Sequence, residues 1–207
     1  MKFIFASNNI HKLEEARAIL SDFEILSLAE IGLHADIPET ADTLEGNSMQ
    51  KADYVFEWYK DHHDTMSNDV IGCFADDTGL CIRALDWKPG VITARWAGEA
   101  CNPADNRAKT LKLMKGISDR YAEFRTVVTL ILWGEPQSVD TPLKQQFVGT
   151  VEGNISEEEW GEKGFGYDPI FIPEGHELTF AQLPTEYKNS ISHRARAMKK
   201  LADFFGK

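Results

Sequence analysis

The chain has 207 residues, 43% of them hydrophobic, with 22 Lys and Arg against 33 Asp and Glu for a formal charge of -11. That is enough apolar material for one sizeable globular domain with room for two lobes, and the sign of the charge excludes a protein that holds nucleic acid through its general field. A small polyanion held in a local cationic pocket, or through metal on acidic side chains, stays compatible because short-range contacts are screened less than the distant field.

Cys73, Cys81 and Cys101 contain no CxxC pair, so reduced thiols in a cytoplasmic setting are expected rather than a disulfide framework or a zinc knuckle. No apolar run is long enough to span a membrane, and the start lacks the apolar core and cleavage pattern of a signal peptide.

In chain order, Phe3 to Phe5 reads as a buried strand that breaks at Ala6, Ser7, Asn8 and Asn9, after which Leu13, Ala16, Ile19 and Leu20 recur at helical spacing. "EILSL" at 24–28 predicts a second strand and "TLEGNSMQKADYVFEWYKDHH" at 43–63 a helix, a β-α-β-α opening. The stretch "VIGCFADDTGLCIRAL" at 70–85 predicts two strands meeting in a turn at Asp76-Asp77-Thr78-Gly79, because Asp, Thr and Gly favour turns. A helix near 104–115 follows, then "FRTVVTLILW" at 124–133, the strongest strand in the chain and a candidate for the sheet centre. Beyond a polar hairpin region near 134–143, "QQFVGTVEG" reads as another strand and "GFGYDPIFIP" as a glycine turn with a short apolar run. In "SISHRARAMKKLADFF" the apolar set Ala195, Met198, Leu201, Ala202 and Phe205 marks a final one-sided helix. No repeat or long linker divides the chain, so a single α/β domain over 1–207 is expected.

Four clusters carry chemistry. Ser7, Asn9 and Lys12 at the first strand-to-helix turn fit either an ordinary N-cap or a phosphate seat, where free N–H groups and the helix dipole favour an anion and Lys12 adds a full charge. Glu39, Asp42 and Glu45 precede Lys51 on the second helix, and surface acids near a helix start are common on their own. Asp76 and Asp77 are adjacent carboxylates that resist ionising together unless hydrogen bonds, a cation or a metal compensate, so with Glu39 they suggest an oxygen-ligand Mg²⁺ site. The glycine-flanked Phe165 and Tyr167 offer a face for a planar ring, and Lys188, Ser192, His193 and Arg194 collect donors within seven residues.

Phosphate donors, carboxylates, a ring platform and donors for a base edge together describe a nucleotide. Through "FASNNIHKLEE", "FADDTGLCIRAL", "PGVITARWAG", "GFGYDPIF" and "KNSISHRARA" the sequence resembles the inosine triphosphate pyrophosphatase family, also called Ham1-like, over nearly the whole chain. The resemblance implies an elongated α/β fold with a mixed central sheet flanked by helices, two lobes with the active-site cleft between them, Mg²⁺ dependence and a homodimer. It implies cleavage of ITP, dITP and XTP to the monophosphate and pyrophosphate. Carried over by residue, the triphosphate loop falls on Ser7, Asn8, Asn9 and Lys12, with Lys51 and Thr78 also substrate-binding. The metal carboxylates fall on Glu39, Asp76 and Asp77, and the general base on Asp77. Base and ribose recognition falls on Phe165, Gly166, Tyr167, Asp168, Lys188, His193 and Arg194.

Thr78 stands where Ser is more usual. Relatives read Thr-Phe-x-Glu-Asn-Ala where this chain has "TLEGNS", with Glu45 one position early and Gly46 in the usual place of the acid, and Gln182 replaces a usual Glu. Two other readings compete. A Maf-like nucleotide pyrophosphatase shares the strand, Ala-Ser turn and helix but lacks the Gly-Phe-Gly-Tyr-Asp and Ser-His-Arg combination. A non-catalytic nucleotide sensor gains little from carboxylates beside a triphosphate.

Overall fold

In a computed structural model the described residues are 1–63, 69–133 and 142–206. Strand β1 (Lys2–Phe5) leads through α1 (Ile10–Ile19) to β2 (Glu24–Leu26), which pairs with β1 in parallel, Phe3 opposite Ile25. Helix α2 (Leu44–His62) then returns the chain to β3 (Val70–Ile82), parallel to β1 on its other side. This is the predicted β-α-β-α opening, and Thr43 and His63 cap α2 at the ends of the segment that the sequence marks as helical.

Residues 70–85 depart from expectation. The predicted turn at Asp76-Asp77-Thr78-Gly79 is absent; β3 runs unbroken through it for 13 residues. Sheet pairing overrides local turn chemistry here, and strand alternation explains the consequence. Phe74 packs with Phe3, Phe5, Leu13 of α1 and Met198 on one face, while Cys73 and Ala75 pack with Ile4, Ala6 and Ala52 and Val55 of α2 on the other. By the same alternation Asp76 lies on the α1 face and Asp77 on the α2 face. The adjacent carboxylates therefore point apart.

The chain continues through β4 (Lys88–Gly90), antiparallel to the end of β3, then α3 (Pro103–Leu113), β5 (Tyr121–Leu132), β6 (Leu143–Ile155), β7 (Phe171–Pro173), α4 (Thr185–Ile191) and α5 (His193–Phe204). The mixed sheet has the order β2-β1-β3-β5-β6-β7, with β4 beside β3, so the strongest predicted strand, β5, is interior as expected. The polar hairpin expected near 134–143 lies almost wholly outside the described residues.

The predicted final helix begins later than expected. Residues 190 and 191 end α4, Ser192 adopts an extended conformation (ψ 160°), and its Oγ accepts the Ala195 N–H at 3.1 Å. A Ser that bonds to the backbone ahead of it favours a cap over a helix interior, which splits the run into two helices.

Two compact units result: Met1–Asp77, Val127–Val148 and Ala197–Lys207 form the first, Thr78–Thr126 and Gly149–Arg196 the second. The first holds the two core clusters just described. The second is built on Leu80, Ile82, Phe124, Val151, Tyr167, Phe171 and Phe180, with the Phe124 and Phe171 rings edge to face at 4.7 Å. Each fully buried Phe contributes about 1.5–3 kcal/mol from its removal from water.

Candidate active site

In the first unit, the turn after β1 is tied down locally. Ala6 N–H donates to Phe74 O at 2.8 Å, Ser7 Oγ accepts the Asn9 N–H at 3.2 Å, and Asn9 Oδ1 accepts the N–H groups of His11 and Lys12 at 3.0 and 3.2 Å. Asn9 is therefore the N-cap of α1, the ordinary role for its residue type. Asn8 is exposed and donates to Ala35 O at 3.1 Å. One turn into the helix, Lys12 reaches back to β3, its Nζ 3.0 Å from Asp76 Oδ1.

Helix α2 meets the other carboxylate. Asn47 and Lys51 are four residues apart and so share a helix face. Asn47 Nδ2 donates to Asp77 Oδ2 at 3.3 Å while its Oδ1 accepts the Ala41 N–H at 2.9 Å. Lys51 Nζ lies 3.2 Å from Asp77 Oδ1 and 2.6 Å from Glu39 Oε1. The two adjacent aspartates are thus compensated separately, Asp76 by Lys12 and Asp77 by Lys51 and Asn47. Glu39 and Asp77 meet on the same ammonium, and among the described residues no three His, Cys, Asp or Glu side chains converge on one point.

Burial works against charge on both Lys51 and Asp77, with opposite outcomes. For Lys51 the carboxylates of Asp77, Asp76 and Glu39 overcome it and hold the ammonium above its ordinary range. For Asp77 burial prevails over Lys51 and Lys12, with Glu39 and Asp76 adding to it, so its carboxyl sits above the usual carboxylate range.

The altered "TLEGNS" motif has a packing explanation. Thr43 Oγ1 caps the Gly46 N–H at 3.0 Å, and a Cβ at Gly46 would stand only 2.6 Å from Ala41 Cβ. The segment before α2 approaches too closely for any side chain at 46.

In the second unit, Asp168 organises the glycine turn. Its Oδ2 accepts the Phe165 N–H at 2.8 Å and lies 2.7 Å from Lys188 Nζ, with both side chains 5% exposed. Gly164 has φ +74°, and a Cβ there would come within 2.1 Å of Asp168 Oδ2, so the turn requires glycine on both counts. Tyr167 is buried and its hydroxyl donates to Thr93 O at 2.9 Å; burial pushes that phenol well above its ordinary range. Gly166 O accepts from Arg107 at 2.9 Å.

The half-buried Phe165 ring carries two cations, with Lys188 Nζ 4.8 Å and the Arg194 guanidinium carbon 5.7 Å from its centroid. Arg194 is 1% exposed and its Nη2 lies 3.5 Å from Thr78 Oγ1, which shares a 2.7 Å hydrogen bond with Thr126 Oγ1. His193 stacks on Phe124 at 4.6 Å. Gln182 Oε1, in the position of a usual Glu, accepts the Thr179 N–H at 3.0 Å.

Phe165, Asp168, Lys188 and Arg194 thus form one contact network, and in the other unit Lys12 pairs with Asp76 while Lys51 pairs with both Glu39 and Asp77. Sequence reasoning passed over Asn47 and Arg107. The four-residue spacing to Lys51 marks Asn47; nothing local marks Arg107.

The profile of the Ham1 family matches residues 3–204. A Porphyromonas gingivalis protein named dITP/XTP pyrophosphatase is 49% identical over 205 residues, covering 98% of this chain and 96% of its own. A Flavobacterium johnsoniae protein of the same name is 46% identical over 204 residues, covering 98% and 97%. Among solved structures, the Staphylococcus aureus Ham1 protein superposes with a TM-score of 0.80 at 33% identity, covering 100% of this chain and 98% of that one. A Mycobacterium abscessus nucleoside-triphosphatase, also titled dITP/XTP pyrophosphatase, gives 0.69 at 36% identity, covering 97% and 98%.

Proposed function

This chain belongs to the Ham1 family, and from that membership we propose that it hydrolyses the non-standard purine nucleoside triphosphates ITP, dITP and XTP to the monophosphate and pyrophosphate. Acting in the cytoplasm as a homodimer, it removes these nucleotides from the pool. Neither the Maf-like reading nor the sensor reading is favoured by the relatives.

The observation that carries the chemistry is Asp77, a buried carboxylate with one oxygen held by Lys51 and the other by Asn47, both from one face of α2. When ionised it is an acceptor only, and it takes the proton of the water that attacks the α-phosphorus. Lys12, now paired with Asp76, and Lys51, now paired with Glu39, turn to phosphate oxygens beside the α1 N-terminus and its Ser7-Asn8-Asn9 turn, Lys51 keeping its contact with Asp77. Thr78 follows Asp77 directly in β3 and offers its hydroxyl to the substrate. With the β- and γ-phosphates held there, pyrophosphate leaves as one unit.

Glu39 and Asp77, which meet on the Lys51 ammonium, offer only oxygen donors, the chemistry a magnesium ion selects, and Asp76 adds a further carboxylate from the other face of β3. Such an ion is commonly held by one or two carboxylates and completed by substrate phosphates, so a cage of three acids is not needed. Bound there, Mg²⁺ would neutralise charge on the phosphates.

At the base end, Phe165 supplies a ring plane, Gly166, Tyr167 and Asp168 shape the turn, and Lys188, His193 and Arg194 are donors. Hypoxanthine and xanthine present O6 as acceptor and N1–H as donor, whereas adenine presents the reverse, so ATP leaves buried donors unpaired. A mismatch of this kind discriminates by about 10⁴-fold. The test is a panel of nucleoside triphosphates assayed with and without Mg²⁺, both products identified. Mg²⁺-dependent release of pyrophosphate from ITP and XTP far above that from ATP supports the reading; equal rates on ATP contradict it.

A further inference from the structure

Arg107 has no part in the residues carried over from the family resemblance, yet it grips the turn that bears the aromatic platform. Its Nη1 donates to Gly166 O at 2.9 Å and its Nε lies 3.0 Å from Glu159 Oε1, so one guanidinium holds both the approach to the turn and the turn itself. The contact to Gly166 O is a hydrogen bond and the one to Glu159 an ion pair, and the planar guanidinium, with several N–H donors, can make both at once.

The helix that carries Arg107 is itself anchored. Neighbouring Asn106, 3% exposed, uses both ends of its amide: Oδ1 accepts the Ala97 N–H at 2.6 Å and Nδ2 donates to Ala94 O at 2.8 Å. Asn102 caps the helix start through the N–H groups of Ala104 and Asp105. The same 93–97 segment receives the Tyr167 hydroxyl at Thr93 O. Thus α3 and its preceding loop act as one rigid base that clamps consecutive residues of the turn, Tyr167 by its side chain and Gly166 by its carbonyl.

Fixing that carbonyl has a directed effect. The peptide is planar, so holding Gly166 O also sets the direction of the Tyr167 N–H on its far side. Gly166 has φ +62° with open space where a Cβ would be, so its own packing does not hold this conformation. A glycine left to itself samples many conformations; the Arg107 bond selects one.

We propose that Arg107 is a positioning residue for base recognition, locking the Phe165-Gly166-Tyr167 turn so that the Phe165 ring and the adjoining backbone meet the purine in one orientation. The inference rests on the assignment of that turn to the base. It contributes to binding of the base and not to the phosphates.

Three proteins test it: wild type, Arg107→Ala and Arg107→Lys, each titrated calorimetrically with IMP and, separately, with inorganic tripolyphosphate, which has phosphates and no base. KM and kcat for ITP are measured alongside. The Ala variant is expected to bind IMP about tenfold more weakly and to raise KM for ITP by a similar factor, the scale of losing a hydrogen bond from a charged donor. Its kcat and its affinity for tripolyphosphate stay near wild type, and the Lys variant, which keeps a charge and a donor without the fork, falls between. If the Ala variant does not fold, the Lys variant carries the same comparison with a smaller shift. Unchanged IMP affinity, or equal weakening of IMP and tripolyphosphate, overturns the role of Arg107. Wild type that binds tripolyphosphate but not IMP overturns the assignment of the turn to the base, and the proposal with it.

Discussion

Lys188 Nζ lies 2.7 Å from Asp168 Oδ2, and neither side chain is more than 5% exposed. A buried ion pair of this kind is poor grounds for net stability, because both charges lose their water, but removing one partner strands the other. The same carboxylate oxygen holds the Phe165 N–H, so the pair also shapes the aromatic turn.

Asp168→Ala is therefore expected to cost about 3–5 kcal/mol of folding stability, the usual scale for an abandoned buried charge. Urea unfolding monitored by circular dichroism measures it. A loss below about 1 kcal/mol, the range of exposed pairs, would mean that Lys188 reaches water without Asp168.

Gly46→Ala sets two effects against each other. Alanine favours a helix over glycine by about 1 kcal/mol, but the new Cβ would stand 2.6 Å from Ala41 Cβ, and overpacking typically costs about 1–3 kcal/mol. The expected result is net destabilisation by roughly 1 kcal/mol, relieved when Ala41→Gly is added. A Gly46→Ala protein more stable than wild type would show that the segment before α2 yields freely.

These contacts mark what the sequence carries legibly. Phe3 to Phe5, the Thr43-to-His63 helix and the interior place of β5 follow from hydrophobic pattern and capping, which are local. The Asp-Asp-Thr-Gly run is misleading because its turn preference is local while its actual state is set by its place within β3, beside β5 in the sheet, and by Lys12 and Lys51 from two helices. Likewise Ala195, Met198 and Leu201 give the periodicity of α5, but the break comes from the hydroxyl of Ser192. Lys188 reads in the sequence as one donor among several; its buried partner lies twenty residues away, and charge pairing over that span has no period to betray it. Arg107 is silent for the same reason.

The three cysteines are expected to separate by environment. Cys73 is fully buried, burial pushing its thiol far above the ordinary range, and Cys81 is pushed up to about 11, whereas Cys101 is exposed. The thiolate is the reactive form. At pH 8 a disulfide reagent should therefore titrate one thiol rapidly in the folded protein and all three in denaturant. Rapid reaction of two or more folded thiols would contradict the burial of Cys73 and Cys81.

Asp77→Asn keeps the shape of the side chain and removes its basicity. We expect kcat for ITP to fall roughly 10²-fold or more, the scale of losing a general base, with the fold retained. Turnover close to wild type at saturating ITP and Mg²⁺ would move the base to another residue.

Which bond breaks is the most direct question. ITP hydrolysed in ¹⁸O-labelled water, with products resolved by mass spectrometry, reports where the oxygen enters. Attack at the α-phosphorus, with Asp77 beside it and the outer phosphates held at Ser7, Asn9 and Lys12, places the label in IMP and leaves pyrophosphate unlabelled. Label in orthophosphate with IDP as the first nucleotide product would contradict the account.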